Sequence, residues 1–397
     1  MKKILILGGG QWQTNLILAV KKLGYISVVA DQNKSCIGSR LADFFWNVSI
    51  TDRKKLIELS KNFNIDLVLT DSTDRAVIEM AAINDALSIP GIKPLEAIRF
   101  TNKLQMRNAL YRKIKMPEYY EVSNSRKEIL KKFNTISGPA IIKPLYGQSS
   151  IGVKKICSEE DILLLDFEKD CINTQELILE EYIEGTEYTV DSITMNKETN
   201  ITAVSKKTHY DDNECVANSL IFDIEIQSDL YKSLKKIHTD IIKFMNLENS
   251  LCHAEYIVKN NIPYLVEIAA RGGGTGVSSI IAPYISGLRH YELLINSLLG
   301  NNYETKHFQE NRYAALKFFE PKQGYIEEIM TPRKEYIDKN IDLFQFNAKI
   351  GDNLGNQLDD KKRNDIGYYI VLNDSKDKLY EIINRVDSET KVVTKYD

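Results

Sequence analysis

Glu255 and Glu267 stand equally far from Asn261, in the arms Cys252-His253-Ala254-Glu255-Tyr256-Ile257-Val258 and Pro263-Tyr264-Leu265-Val266-Glu267-Ile268-Ala269. Two such apolar arms around Lys259-Asn260-Asn261 predict a β-hairpin. In a regular antiparallel hairpin the two carboxylates would face each other, with Cβ atoms ~4.5–5.5 Å apart. Facing carboxylates repel unless a cation lies between them. Mg²⁺, a hard ion that takes oxygen ligands and adds substrate phosphates and water, suits that place. The plain alternative is a solvent-facing surface that carries like charges. Alternation puts Glu267, Ala269 and Arg271 on one face, so Arg271 can reach a phosphate held by the metal. The backbone-rich loop Gly272-Gly273-Gly274-Thr275-Gly276 comes next. His253 shares the face of Glu255, where it either orients that carboxylate or fills a polar core site.

Two further segments could carry chemistry. Ala140-Ile141-Ile142-Lys143-Pro144 ends an apolar strand on a lysine, and Gly147-Gln148-Ser149-Ser150-Ile151-Gly152-Val153 comes after it. Consecutive backbone N–H groups in such a loop can cradle phosphate oxygens, with the lysine as a point charge. A hairpin turn beside a solvated lysine is the other reading. Leu177-Ile178-Leu179-Glu180-Glu181-Tyr182-Ile183-Glu184-Gly185-Thr186-Glu187 leads a strand into acidic residues. It is either an edge strand with exposed glutamates or a hinge whose backbone reads a purine edge. In the second case Glu187 faces ribose hydroxyls.

The elements that must position these groups form an α/β and α+β multidomain chain. In residues 1–95, the strand candidates Ile4–Leu7, Ser27–Ala30 and Leu67–Thr70 alternate with the helical stretches Thr14–Leu23 and Arg53–Phe63. That alternation predicts a parallel sheet covered on both faces. Ile89-Pro90-Gly91-Ile92-Lys93-Pro94 is rich in breakers and marks a first boundary. Residues 96–113 read as helical, and a second helical run, Tyr291–Leu298, ends at Gly300. The last hundred residues change to many short segments, including Tyr313–Phe319 and Tyr368–Leu372, before the helix-like Lys376–Val386. The expected domains are 1–95, 96–300 (with a subdomain over about 117–187) and 301–397.

Composition limits the function classes. Lys and Arg total 52 against 55 Asp and Glu, a net charge of −3, so no broad basic surface for nucleic acid is expected. No apolar run approaches the ~20 residues of a membrane-spanning helix. The start Met1-Lys2-Lys3-Ile4-Leu5-Ile6-Leu7-Gly8 reads as a first strand and not as a secretion signal. The five cysteines are scattered and form no C-x-x-C pair, which argues against a disulfide framework or zinc cluster and for a cytoplasmic protein.

Gly8-Gly9-Gly10 comes directly after the first strand, and Asp31 closes the next, which invites a dinucleotide-binding reading. The pattern fails at its third glycine, where Gln13 stands.

Taken in chain order, these motifs resemble the ATP-grasp superfamily over roughly residues 1–300. The resemblance implies a Rossmann-like N-terminal domain, an ATP-grasp core and a small C-terminal β-rich domain. Lys103, in Thr101-Asn102-Lys103, and Lys143 match the family's two ATP-binding lysines. Gly147–Val153, with Ser149, Ser150 and Gly152, looks like the flap over the phosphates. Glu180, Glu181 and Ile183 look like the adenine-reading segment, and Glu187 like the ribose-binding acid. Glu255 and Glu267 match the magnesium ligands, and Arg271 the arginine on the transferred phosphate. Many members read E-x-N-x-R here, whereas this chain has Ala269 in place of the asparagine, which removes one metal ligand.

The resemblance further implies an ADP-forming ligase that uses ATP and Mg²⁺. A carboxylate becomes an acylphosphate, and an amine, or less often a thiol, displaces phosphate. Lys206, Lys207 and His209 lie just beyond the short strand Ile201–Val204. They either border the γ-phosphate or acceptor, with Lys206 and His209 as catalytic candidates, or lie on a solvated loop. The expected substrates are small carboxylates and amines of amino-acid, peptide or amino-sugar type, with neither nucleic acid nor membrane as partner. A homodimer is a family-level expectation. The alternatives are a purine-pathway ligase or biotin-carboxylase-like enzyme, and a non-catalytic nucleotide- or NAD(P)-binding protein.

Overall fold

The computed structural model describes residues 1–147, 150–170, 172, 176–211, 213–305, 312–320, 323–354 and 360–395. Its strands begin with β1 (Lys3–Leu7), β2 (Ile26–Ala30), β3 (Phe44–Trp46), β4 (Leu67–Leu69) and β5 (Tyr119–Val122). Next come β6 (Ala140–Pro144), β7 (Lys154–Ile156), β8 (Leu177–Glu181), β9 (Thr186–Met195) and β10 (Glu198–Tyr210). The middle of the chain adds β11 (Asn213–Phe222), β12 (Ser250–Lys259), β13 (Ile262–Ala269), β14 (Tyr313–Phe318) and β15 (Gly324–Met330). The last are β16 (Leu343–Phe346), β17 (Asn353–Leu354), β18 (Gly367–Asn373) and β19 (Lys391–Lys395).

The chain forms two compact bodies. The first comprises Met1–Met116, Thr189–Ala203 and Gln227–Phe308. Its N-terminal part is a parallel sheet in the order β3-β2-β1-β4, as the strand–helix alternation predicts. Ile4, Ile6, Val29, Leu67 and Leu69 pack there against Leu16, Ile17 and Val20 of the helix Thr14–Lys22. The same body holds β13 and β12, β9 from Thr189 onward and β10 as far as Ala203. The single helix expected over 96–113 is two helices, Pro94–Arg99 and Lys103–Leu110. Asn102 caps the second by accepting from the Gln105 amide at 2.9 Å. That cap sets where Lys103 begins its helix.

The second body comprises Pro117–Tyr188, Val204–Ile226 and Gln309–Asp397. It contains an antiparallel sheet, β5-β8-β6-β7, cored by Val122, Ile129, Ala140, Ile142, Ile156, Leu177 and Leu179. The run β10-β11-β14-β18-β16 and the small sheet β17-β15-β19 complete it. The helix Lys376–Glu389 inserts Leu379, Ile382, Ile383 and Val386 beside Ala315, Tyr369 and Val371. Lys206, Lys207 and His209 lie inside β10, which runs six residues past Val204. The loop reading of that segment is therefore corrected. Thr208 and His209 pair with Ser219 and Ala217 of β11.

Among the described residues, no helix is long and apolar enough to cross a membrane.

Candidate functional site

In the first body the hairpin β12–β13 carries the acidic pair. Its two-residue turn is Asn260-Asn261, both at positive φ (52° and 61°), a conformation that asparagine tolerates well. Counted from Lys259↔Ile262, a regular ladder would set Glu255 opposite Val266. Glu267 would then point to the other face. One extra residue, Val266, intervenes: Tyr256 pairs with Leu265, and Glu255 pairs with Glu267. The carboxylates therefore do face each other, but through a β-bulge and not through a turn centred on Asn261.

Cations and buried acids surround the pair. Lys103 Nζ lies 3.3 Å from Glu267 Oε2. Arg271, largely buried, donates from Nε to Asp74 Oδ1 at 2.7 Å and from Nη1 to the Gly272 carbonyl at 3.0 Å. His253 Nδ1 lies 3.0 Å from Asp191 Oδ1, and its Nε2 is 3.9 Å from Glu255 Oε1. Burial disfavours the imidazolium, but Asp191 and then Glu255 outweigh it and hold His253 up at about 9. His253 thus touches both a core carboxylate and the acidic pair.

The loop after Arg271 is held from below. Gly272 donates to Asp71 Oδ1 at 3.0 Å, and Gly273 to Asp191 Oδ1 at 3.1 Å. A Cβ on Gly272 would meet Ser278 Cβ at 2.3 Å and Asp71 Oδ1 at 2.6 Å, so no side chain fits there. Asp71 also accepts from Tyr291 at 2.5 Å and from Ser278. Burial raises its carboxyl above the usual range, against those hydrogen bonds. Asp71, Asp74, Asp191, Ser278 and Tyr291 escape a reading of the sequence. For Asp71, Asp74, Ser278 and Tyr291 the only sequence signal is a polar residue near the end of a strand or helix, and Asp191 lies in the middle of β9 with no such signal.

The Gly8–Gly10 turn is fully occupied by its own chain. Gly8 donates to the Ala30 carbonyl (3.0 Å), Gly9 to Asp31 Oδ2 (2.8 Å) and Gly10 to Gln13 Oε1 (3.0 Å). Asp31 and Gln13 therefore hold the turn itself, and these amides are not a pyrophosphate cradle.

The second body holds the other candidates. Lys143 and Glu180, on adjacent strands, pair at 2.6 Å and are almost wholly buried. Glu187 receives Lys207 Nζ on Oε1 at 2.6 Å and His209 Nε2 on Oε2 at 2.8 Å. Lys206 is exposed and alternates to the opposite face of β10 from Lys207 and His209. The Glu181 amide donates to the Glu118 carbonyl at 2.8 Å, so a ligand could use only its carbonyl side. Ile183 is buried. Ser150 and Gly152 both have positive φ (55° and 76°), while Ser149 lies outside the described residues. A cavity of about 570 Å³ in this body, bounded by Tyr210, Asn218, Lys317, Phe319 and Asp387, is lined by none of these candidates.

Among the described residues, no cluster of three or more His, Cys, Asp or Glu side chains forms a cage for a metal. Two opposed carboxylates are the donor set, which fits a hard cation whose remaining ligands are phosphates and water.

Residues 136–279 match the ATP-grasp domain family. That segment is an ATP-grasp domain by this match. Formate-dependent phosphoribosylglycinamide formyltransferase of Prochlorococcus marinus is 23% identical over 310 residues, covering 75% of this chain and 76% of the relative. D-alanine–D-alanine ligase of Bacillus anthracis is 23% identical over 267 residues, 64% of this chain and 84% of that protein. The crystal structure of L-amino acid ligase from Bacillus licheniformis aligns with a TM-score of 0.80 at 16% identity, over 100% of this chain and 99% of that one. The ATP-grasp match contains Lys143, Glu180, Glu187, Glu255, Glu267 and Arg271 and leaves out Lys103.

Proposed function

We propose that this ATP-grasp protein is an ADP-forming ligase that joins a small carboxylate, activated as its acylphosphate, to an amine. The observation that carries the reading is the register of β12 and β13. It sets Glu255 against Glu267, with Lys103 at 3.3 Å and Arg271 four residues further along the chain. Phosphoryl transfer asks a protein for positioning and charge neutralisation more than for covalent help. Lys103 and Arg271 are placed on this reading to meet phosphate oxygens. Glu255 and Glu267 would hold Mg²⁺, which when bound supplies further neutralisation of those oxygens.

Lys143 serves the nucleotide phosphates, Glu180, Glu181 and Ile183 the adenine, and Glu187 the ribose, with Gly147–Val153 as the covering flap. Lys207 and His209 each occupy one side of a Glu187 oxygen, so the carboxylate keeps lone pairs for ribose hydroxyls, and His209 is held where an acceptor could meet it. Lys206 belongs to this role only if β10 presents its exposed face to substrate. The functional partition is a Rossmann-like domain over 1–95, the ATP-grasp core over 96–300 and a C-terminal β-rich domain over 301–397. The amine is expected from an amino acid, peptide or amino sugar, and the enzyme is expected to be a cytoplasmic homodimer.

A purine-pathway reaction is the second reading, favoured by the similarity to phosphoribosylglycinamide formyltransferase along three quarters of the chain. One experiment separates the two. ADP release from Mg-ATP is measured with panels of amino acids, peptides and amino sugars, and with formate or bicarbonate plus glycinamide or aminoimidazole ribonucleotide. Product masses are read in parallel. ADP with a condensed amide mass supports the first reading, and a ribonucleotide product supports the second. Failure of Mg-ATP to bind at all would sink both.

A further inference from the structure

Arg107 has no part in the chemistry proposed for the site, yet it is fully buried and is the largest side chain so enclosed among the described residues. It sits four residues after Lys103 on the helix Lys103–Leu110, so the two share a helix face. Lys103 reaches Glu267. Arg107 reaches the residues just before it: Nη1 donates to the Leu265 carbonyl at 2.7 Å and Nη2 to the Val266 carbonyl at 2.9 Å. In a regular strand successive carbonyls point to opposite edges. A single guanidinium can hold two in a row only where the strand is deformed. Leu265 and Val266 are the site of that deformation. β13 is the edge strand of its run, which leaves this side open to the helix.

We propose that Arg107 is a positioning residue that holds the β13 bulge and thereby builds the cation site. The extra residue turns Glu267 from the far face of the hairpin to the face of Glu255. The rigid, always-charged fork of arginine makes that arrangement the stable one. One helix then sets both sides of the acidic pair: Lys103 supplies its counter-charge and Arg107 its register. The inference rests on the reading of Glu255 and Glu267 as the cation site.

Mn²⁺ binding to the full-length protein, in the presence of a non-hydrolysable ATP analogue, is measured by electron paramagnetic resonance. Arg107→Lys keeps the charge but cannot span both carbonyls, and Arg107→Met removes both contacts. The expected result is at least a tenfold weaker Mn²⁺ affinity for each folded variant, with far-UV circular dichroism retained. If Arg107→Met does not fold, Arg107→Lys carries the test. Arg107 variants that are thermally less stable but bind Mn²⁺ as the parent does would overturn the proposal and leave Arg107 a packing residue. Glu267→Gln separates the two levels. If it loses Mn²⁺ while the Arg107 variants keep it, only the positioning role fails. If it binds Mn²⁺ normally, the cation site itself is misassigned and the inference falls with it.

Discussion

Four cations among the candidate residues each hold a carboxylate: Lys103 holds Glu267 and Arg271 holds Asp74 in the first body, and Lys143 holds Glu180 and Lys207 holds Glu187 in the second. These pairs keep strong charges satisfied within each body of the folded chain. Glu267→Gln should therefore cut ADP formation by about a hundredfold or more, the usual scale for losing one electrostatic contributor, while the melting temperature stays close to that of the parent. Unchanged turnover would remove Glu267 from the metal site. Lys143→Ala should raise the ATP requirement, but it also strips buried Glu180 of its lysine, at a cost of about 3–5 kcal/mol. ATP titration must accompany denaturation for that variant, and a wild-type ATP dependence would exclude Lys143 from the phosphates. Burial also holds two histidines below their ordinary value: His238, to about 3, and His290, to about 4. The unfolded chain takes up their protons near pH 6.5 and the folded chain does not. Each therefore stabilises the fold fully above that pH, and the contribution falls by up to about 1.4 kcal/mol per unit on acidification. Urea midpoints of His238→Gln between pH 7 and 4 should show a shallower slope than the parent. An identical slope would mean that His238 is not held neutral.

At the scale of elements, the hairpin β12–β13 shows what pattern can and cannot reveal. Two apolar arms around Asn260-Asn261 are enough to place the turn and to suggest that Glu255 faces Glu267. The bulge is not legible, because nothing local distinguishes Val266 from its neighbours. What fixes it is the guanidinium of Arg107, 158 residues away in sequence. The polar run Lys206–His209 reads as a possible loop because its residues are charged or polar on both faces. Its hydrogen-bonded neighbour β11 makes it a strand. The loop after Arg271 gives an element-scale prediction. Gly272→Ala drives a methyl into Ser278 and Asp71, and overpacking of that kind costs about 1–3 kcal/mol. Arg271 should be displaced with it, and activity lost. Gly274→Ala has nothing within 4 Å of the new methyl and should behave as the parent in both melting and ADP release. Equal behaviour of the two variants would show that the loop is not held from below.

For the whole molecule, ligand linkage is the most direct test of the cofactor pair. Mg-ATP at a hundred times its dissociation constant should stabilise the native chain by about 2.7 kcal/mol. EDTA should abolish most of that gain, and an EDTA-insensitive shift would argue against metal-assisted binding. Each compact body is assembled from three separated chain segments, an arrangement that breaker clusters along a sequence do not encode. The sequence by itself determined the strand–helix alternation of the first 95 residues, the chain order of the lysines, acids and arginine, and the hairpin that carries two of the acids. These depend on local periodicity and turn chemistry, which act over a few residues. Only the tertiary structure decided which distant groups hold them. Asp74 lies 197 residues from Arg271, and Asp71 lies 220 from Tyr291. Such partners are selected by burial, because a charge removed from water must find its counterpart wherever the folded chain brings one within reach.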